Sequence, residues 1–174
     1  MAVMLAALAL IGCKNKNEST APKDPARPVE IPLPTNALPR LQTLRLWLGA
    51  AEITAEVALT PAQQQTGMMF RETIGENEGM LFVFPHTETR AFWMMNVSVP
   101  LSLAYIDPAG VILEIHDLQP HNTNSVVAAT DQVQYVLETS QGWFNRHSVS
   151  TGTVIRTERG PLSESFTFER ARRR

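Results

Sequence analysis

The sequence predicts a mostly β domain with two short helices, an α+β chain folded as a small antiparallel barrel or sandwich of about seven strands. Three observations carry that prediction. Beyond Leu41, apolar and polar residues alternate with the period of half-buried strands. Turn-forming residues punctuate the alternation at Gly49-Ala50 and at Asp107-Pro108-Ala109-Gly110. Helix signals occur in two short stretches, and no strand–helix–strand unit repeats.

Leu44, Leu46 and Leu48 share one face of a first strand. After the turn, Ile53, Ala55, Val57 and Leu59 alternate with Glu52, Thr54 and Glu56, so the two segments form a hairpin. Thr60 then caps a helix of about two turns, with Pro61 at its first position, Gln63 completing a capping box and Gly67 as the stop. Met80–Phe84, closed by Pro85, is a continuous apolar run and reads as a buried strand; Ala91–Met95 is a second such run. Leu101–Ile106 and Val111–Ile115 flank the Asp107–Gly110 turn and form another hairpin. Residues 117–132 are polar, without clear period, and read as a long loop, a frequent place for function. Tyr135–Glu138 is a strand, Ser140 caps a short helix through Trp143 to His147, and Thr153–Arg156 is a last core strand. Phe166 and Phe168 either add an edge strand or pack loosely.

Of the 174 residues 44% are hydrophobic, enough for one core; the net charge is −2 and the pI about 6.1. That balance lacks the basic stripe of a nucleic-acid binder. The local cluster at Arg170 and Arg172–Arg174 reads as a solvated tail. A single cysteine, Cys13, excludes an intrachain disulfide. It follows the apolar run Ala2–Gly12, which is too short to span a bilayer and has the length of a signal-peptide core. Leu10-Ile11-Gly12-Cys13 resembles the lipobox of bacterial lipoproteins. The resemblance implies cleavage before Cys13, acylation of its thiol and a membrane contact through that lipid. By the same resemblance, Lys14 in place of an aspartate favours the outer membrane, with the domain facing the periplasm. No Lys or Arg precedes the apolar run, so the true start is expected upstream of Met1. Six prolines between Pro22 and Pro39 make the segment up to Arg40 an extended tether. The expected organisation is therefore a signal peptide (1–12), a lipidated cysteine with its tether (13–40), a β-rich domain (41–157) and a C-terminal extension (158–174).

The usual nucleophile, metalloprotease and nucleotide-binding motifs are absent. The histidines His86, His116, His121 and His147 are scattered; His116 and His121 are the nearest to a metal pair, and zinc needs three or four ligands. No metal or cofactor is expected. Glu76, Glu78, Glu114 and Glu138 offer carboxylates for acid–base work, but alternation places Glu114 on a solvated face and spacing alone pairs none of them.

The densest signal runs from Gly67-Met68-Met69-Phe70-Arg71 through Glu78-Gly79-Met80-Leu81-Phe82-Val83-Phe84 to Phe92-Trp93-Met94-Met95-Asn96 and Pro100-Leu101. With Glu114-Ile115-His116, Tyr135-Val136-Leu137-Glu138 and Gly142-Trp143, it resembles the uncharacterised exported-protein family known as domain of unknown function 192. The resemblance spans about Leu44 to Ile155 and implies a small β-rich domain with no established reaction. Where that family commonly carries Lys and Asp, this chain has Met95 and Ser102, so a charged pair is lost together. Such joint loss fits a structural ion pair better than a catalytic one. The methionines read as adaptable core fillers. Arg71 and Glu78 are expected to bridge the turn between them, while Trp93 and Asn96 near Arg71 offer an aromatic and amide surface for a sugar ring or peptide. Arg71, Glu78, Trp93 and Asn96 are thus the ligand-binding candidates. The functional expectation is a lipid-anchored, non-catalytic binding or envelope-maintenance module, with an envelope glycan, peptide or protein as partner. The alternative is a hydrolase or transferase acting on envelope material. Oligomeric state and strand order are not legible in the sequence.

Overall fold

The computed structural model describes residues 32–166. Cys13, the apolar run before it, most of the tether, Phe168 and the terminal arginines lie outside the described residues. Residues 32–40 carry no helix or strand.

The first hairpin forms as its alternation requires. β1 (Thr43–Leu48) pairs antiparallel with β2 (Ala51–Ala58), and Leu44, Leu46, Leu48, Ile53 and Ala55 are buried on one face. Leu59 ends up exposed, because the chain leaves the sheet there. It enters α1 (Pro61–Thr66) through the expected capping box: Thr60 Oγ1 accepts from the Gln63 amide at 3.2 Å, and Gln63 Oε1 accepts from the Thr60 amide at 2.9 Å. Beyond α1 the chain crosses over and returns as β3 (Glu78–Glu88), which lies parallel to β2. The other strand pairs of the sheet are antiparallel, and this parallel pair is the exception; a crossover of some twenty residues is what parallel pairing needs.

The remaining strands are β4 (Ala91–Phe92), β5 (Leu101–Ile106), β6 (Ile112–Leu118), β7 (Val126–Val127), β8 (Val133–Ser140), β9 (Ile155–Thr157) and β10 (Gly160–Pro161). Eight strands form one sheet in the order β10-β9-β1-β2-β3-β8-β5-β6, and β4 with β7 forms a two-stranded ribbon. The fold is mostly β, as expected, but neither a barrel nor a sandwich of about seven strands. The sheet stays open, with β10 and β6 at its edges and a lone Val111–Val154 bridge linking the β5–β6 turn to the approach of β9.

Both faces of the sheet are covered, which explains the continuous apolar runs. Leu81, Val83, Ala104, Ile106, Tyr135 and Leu137 face a core closed by Trp143, Phe144 and Leu162. Met80, Phe82, Phe84, Leu101, Leu103 and Val136 face a second core closed by Met68 and Met69 of the crossover and by Met94, Val97 and Val99. The two cores take alternate residues of the same strands.

Helices number three among the described residues: α1, α2 (Trp143–Arg146) and α3 (Leu162–Ser165), the last unforeseen. Ser140 does not cap α2; the cap position is Gly142 at φ 77°, and Ser140 Oγ instead meets Arg146 and Glu76. Ala91–Met95 contributes only the two residues of β4, since Trp93 and Met94 turn away from the ribbon. The supposed loop 117–132 holds the end of β6 and all of β7. Pro85 does not end β3 but sits where its pairing with β8 breaks between Val83 and Glu88, as a residue without an N–H permits. Met95 packs against the second core, whereas Ser102 alternates onto the face of the first. A Lys and an Asp at these positions would lie on opposite sides of the sheet.

Gly79 is required by strand spacing. A Cβ there would lie 2.6 Å from the backbone oxygen of Glu138, so β3 and β8 meet at their observed distance only because the side chain is hydrogen.

Candidate functional site

The site is built around one side chain of β8. This strand lies between β3 and β5, so its backbone is paired on both edges, and Glu138 stands opposite Met80 on one side and Leu103 on the other. Alternation puts Glu138 on the Val136 face, toward the second core. The residue is 4% exposed. Its Oε2 has no hydrogen-bond partner. Burial alone pushes the carboxyl up to about 8 from an ordinary 4.5, so the group is largely protonated at neutral pH.

Glu138 lines a cleft of about 360 Å³. Met68 and Met69 wall it from the crossover, Phe82 and Phe84 from β3, and Phe92 and Trp93 from β4 and its exit. Phe82, Phe92 and Tyr105 meet edge to face, with ring centroids 4.9 and 6.2 Å apart. Tyr105 donates its hydroxyl proton to the Val126 carbonyl at 2.6 Å, which ties the β4–β7 ribbon to the sheet. Burial pushes that hydroxyl up, with the nearby Glu114 and Glu138 adding to the effect. At the rim, the Arg90 guanidinium lies 3.7 Å above the Phe84 ring centroid, pairs with Glu88 and donates to the His86 carbonyl at 2.8 Å. Its Nε is buried without a partner, and burial pulls its pKa below the ordinary value against the pull of Glu88.

Of the four residues singled out from sequence, Trp93 lines this cleft and is 42% exposed. The other three serve elsewhere. Arg71 does not bridge to Glu78. It grips Glu56 with both terminal nitrogens, at 2.7 and 2.8 Å, and Glu56 also accepts from Arg40 at 3.0 Å and from the Leu41 amide at 2.8 Å. Burial raises the Glu56 carboxyl, but these donors outweigh it and hold the group below its usual range. Glu78 accepts from Arg40 and from the Gly75 amide. Asn96 takes a left-handed backbone at φ 58°, which Asn tolerates well, and its carbonyl accepts from the Phe70 amide at 2.8 Å.

Glu76 pairs with Arg146 at 2.9 and 2.8 Å, fixing the crossover to α2. Glu114 is not on a solvated face. It is half-buried, accepts from the Ala129 amide at 2.8 Å and faces His116 Nε2 at 2.9 Å. No three His, Cys, Asp or Glu side chains gather in a metal-binding arrangement among the described residues. A second hollow, of about 370 Å³, has Ser102, Asp117 and Gly142 in its lining, and these are already joined: Ser102 donates to Asp117 and accepts from the Gly142 amide.

The sequence did contain a signal for Glu138. Val133, Tyr135, Val136 and Leu137 mark both faces of β8 as buried, so an acid in that strand has no solvated side to turn to.

The chain matches the profile of DUF192, described as an uncharacterized ACR, over residues 46–157. It belongs to that family. The match takes in the cleft, Glu138 and Trp93, and stops short of Arg40. Two crystal structures resemble this DUF192 domain. One is a candidate transcription regulator from Sinorhizobium meliloti 1021, 32% identical over 66% of this chain and 92% of that one, with a TM-score of 0.62. The other is a protein of unknown function from Novosphingobium aromaticivorans DSM 12444, 26% identical over 66% of this chain and 83% of that one, with a TM-score of 0.60. No curated protein matches this chain.

The proton on Glu138 ties stability to pH. The unfolded chain releases it near 4.5, whereas the folded chain holds it up to about 8. Between those values the folded state binds more protons. This contribution to stability is therefore complete below 4.5 and is lost as pH rises through about 8. Glu138→Gln removes that slope. Urea unfolding of the variant is expected to show a gain over the natural chain that grows with pH up to about 9, reaching the order of a few kcal/mol. Identical pH slopes in the two proteins would contradict the assignment.

Proposed function

We propose that this DUF192 protein is a lipid-anchored envelope protein, held by Cys13 at the outer membrane and facing the periplasm, whose domain binds a small ligand in the Glu138 cleft without transforming it. One observation carries the binding site: a carboxyl group that is buried, unpartnered on Oε2 and placed in the wall of a cleft whose inner lining of Met68, Met69, Phe82 and Phe84 is apolar and aromatic. A structural carboxyl in this fold looks different, as Glu56 shows with the four hydrogen bonds it accepts. An unmet buried polar group in a cleft wall is what a ligand's polar end can satisfy. The anchor rests on Leu10-Ile11-Gly12-Cys13 and the proline-rich segment that follows.

The pKa of Glu138 favours a second reading, a hydrolase or transferase using it as a general acid, because carboxyls raised toward neutrality often do proton work. Such a mechanism needs a second group, and the other charged groups lining the cleft, Glu88 and Arg90, are paired to each other. Binding without turnover is therefore preferred. The regulator name of the Sinorhizobium relative does not favour DNA as the partner here, since the chain is acidic overall and its longest described helix has six residues.

The test is a thermal-shift screen of the full chain against small apolar molecules bearing one polar group, peptidoglycan fragments, oligosaccharides and short peptides. A ligand at about a hundredfold over Kd is expected to stabilise the natural protein by about 2.7 kcal/mol. Glu138→Gln and Trp93→Ala should lose most of that shift while remaining folded. A ligand whose shift survives both substitutions would place binding elsewhere, and product formation would favour the second reading. The anchor predicts that the mature chain isolated from membranes begins at Cys13 carrying acyl chains, and that Cys13→Ser releases it; mass spectrometry of the N-terminal peptide reads this directly.

A further inference from the structure

We propose that the Glu138 cleft selects a small organic cation, a primary ammonium group on an apolar or aromatic body, with the ammonium seated on the Glu138 carboxylate. The inference rests on the cleft being the ligand site and adds the chemistry of the ligand.

Charge balance inside the cleft decides the class of ligand. The crossover presents Gln64, Gln65, Met68 and Met69 to the cleft, none of them charged. The bend between β3 and β4 presents Glu88 and Arg90, which neutralise each other. From β5 the titratable group near Glu138 is Tyr105, whose hydroxyl is committed to the Val126 carbonyl; beyond it Glu114 and His116 face each other. When Glu138 ionises, its charge is therefore the one in the cleft without a counter-charge among the described residues. A hydroxyl or amide would serve a neutral hydrogen-bonding ligand as well, whereas only a carboxyl can become the counter-charge of a cation. The walls also suit a cation. Phe82, Phe92 and Trp93 present aromatic rings, and the cleft already holds one cation over a ring, Arg90 on Phe84.

The proton balance is simple. The ligand enters as R–NH₃⁺, the Glu138 O–H bond gives up its proton to solvent, and no other covalent bond changes. The ammonium then replaces the proton as the partner of the carboxylate.

Isothermal titration of the full chain with benzylammonium and hexylammonium chloride, in phosphate and in HEPES, tests this. Affinity is expected to rise about tenfold from pH 6 to pH 7 and to level off above about pH 8. Close to one proton should be released per ligand at pH 7, read from the buffer dependence of the heat. Benzyl alcohol and phenylacetate should bind at least tenfold more weakly. Glu138→Gln should cost at least tenfold in ammonium affinity. Trp93→Ala, at an exposed position, should cost several-fold and stands in if the first variant does not fold. Three results would overturn the proposal: benzyl alcohol binding as well as benzylammonium, with affinity falling above about pH 8; phenylacetate binding better than either; or no binding of either ammonium ion. The first two would leave the cleft as the ligand site and change only the class of ligand.

Discussion

A carboxyl group on a strand paired on both edges is the constraint around which this domain is arranged. Around Glu138, β8 is bonded to β3 on one edge and to β5 on the other, so Glu138 cannot reach water by fraying an edge. Its face of the sheet is covered by the crossover between α1 and β3, with Met68 and Met69 above it. Gly79 lets β3 approach closely enough to make the enclosure tight. With no donor on Oε2, the group takes the remaining route and keeps its proton. The cleft beside it gives that arrangement a chemical use.

Ion pairs hold the cover in place. Glu56 projects from the opposite side of its strand to the leucine-rich core and receives Arg71, Arg40 and the Leu41 amide, which clasps the start of the domain and the far end of the Met68-Met69 segment to β2. Glu76 and Arg146 fasten the next stretch to α2. Two buried acids thus sit in one sheet with opposite fates. Glu56 is ionised and saturated with donors; Glu138 is protonated and open toward a cleft. The contrast separates a carboxylate that builds the fold from one available to a ligand.

The local features of the fold were legible in the sequence because they depend on near neighbours. Leu44, Leu46 and Leu48 alternate, Thr60 and Gln63 are three residues apart, and the Asp107–Gly110 turn closes its own hairpin. The parallel β2–β3 pair was not legible, since nothing in either strand records which neighbour it takes across a crossover. Arg71 was assigned to Glu78 by proximity in sequence; the fold gives it Glu56, fifteen residues back, which alternation had sent to solvent. Trp93 was found because it belongs to a dense aromatic run. Asn96 was noticed for its side chain, yet it matters through its backbone. Glu138 went unranked because its meaning depends on covers contributed by residues 60 to 70 positions earlier.

The most direct measurement is the titration of the Glu138 side-chain carbon by ¹³C NMR on glutamate-labelled full chain, with Glu138→Gln identifying the resonance. A midpoint near 8 is expected, with the Glu56 carboxyl titrating below its usual range in the same spectra. A Glu138 midpoint near 4.5 would mean that the carboxyl is hydrated or paired in solution, and would remove the basis for a ligand site at this position.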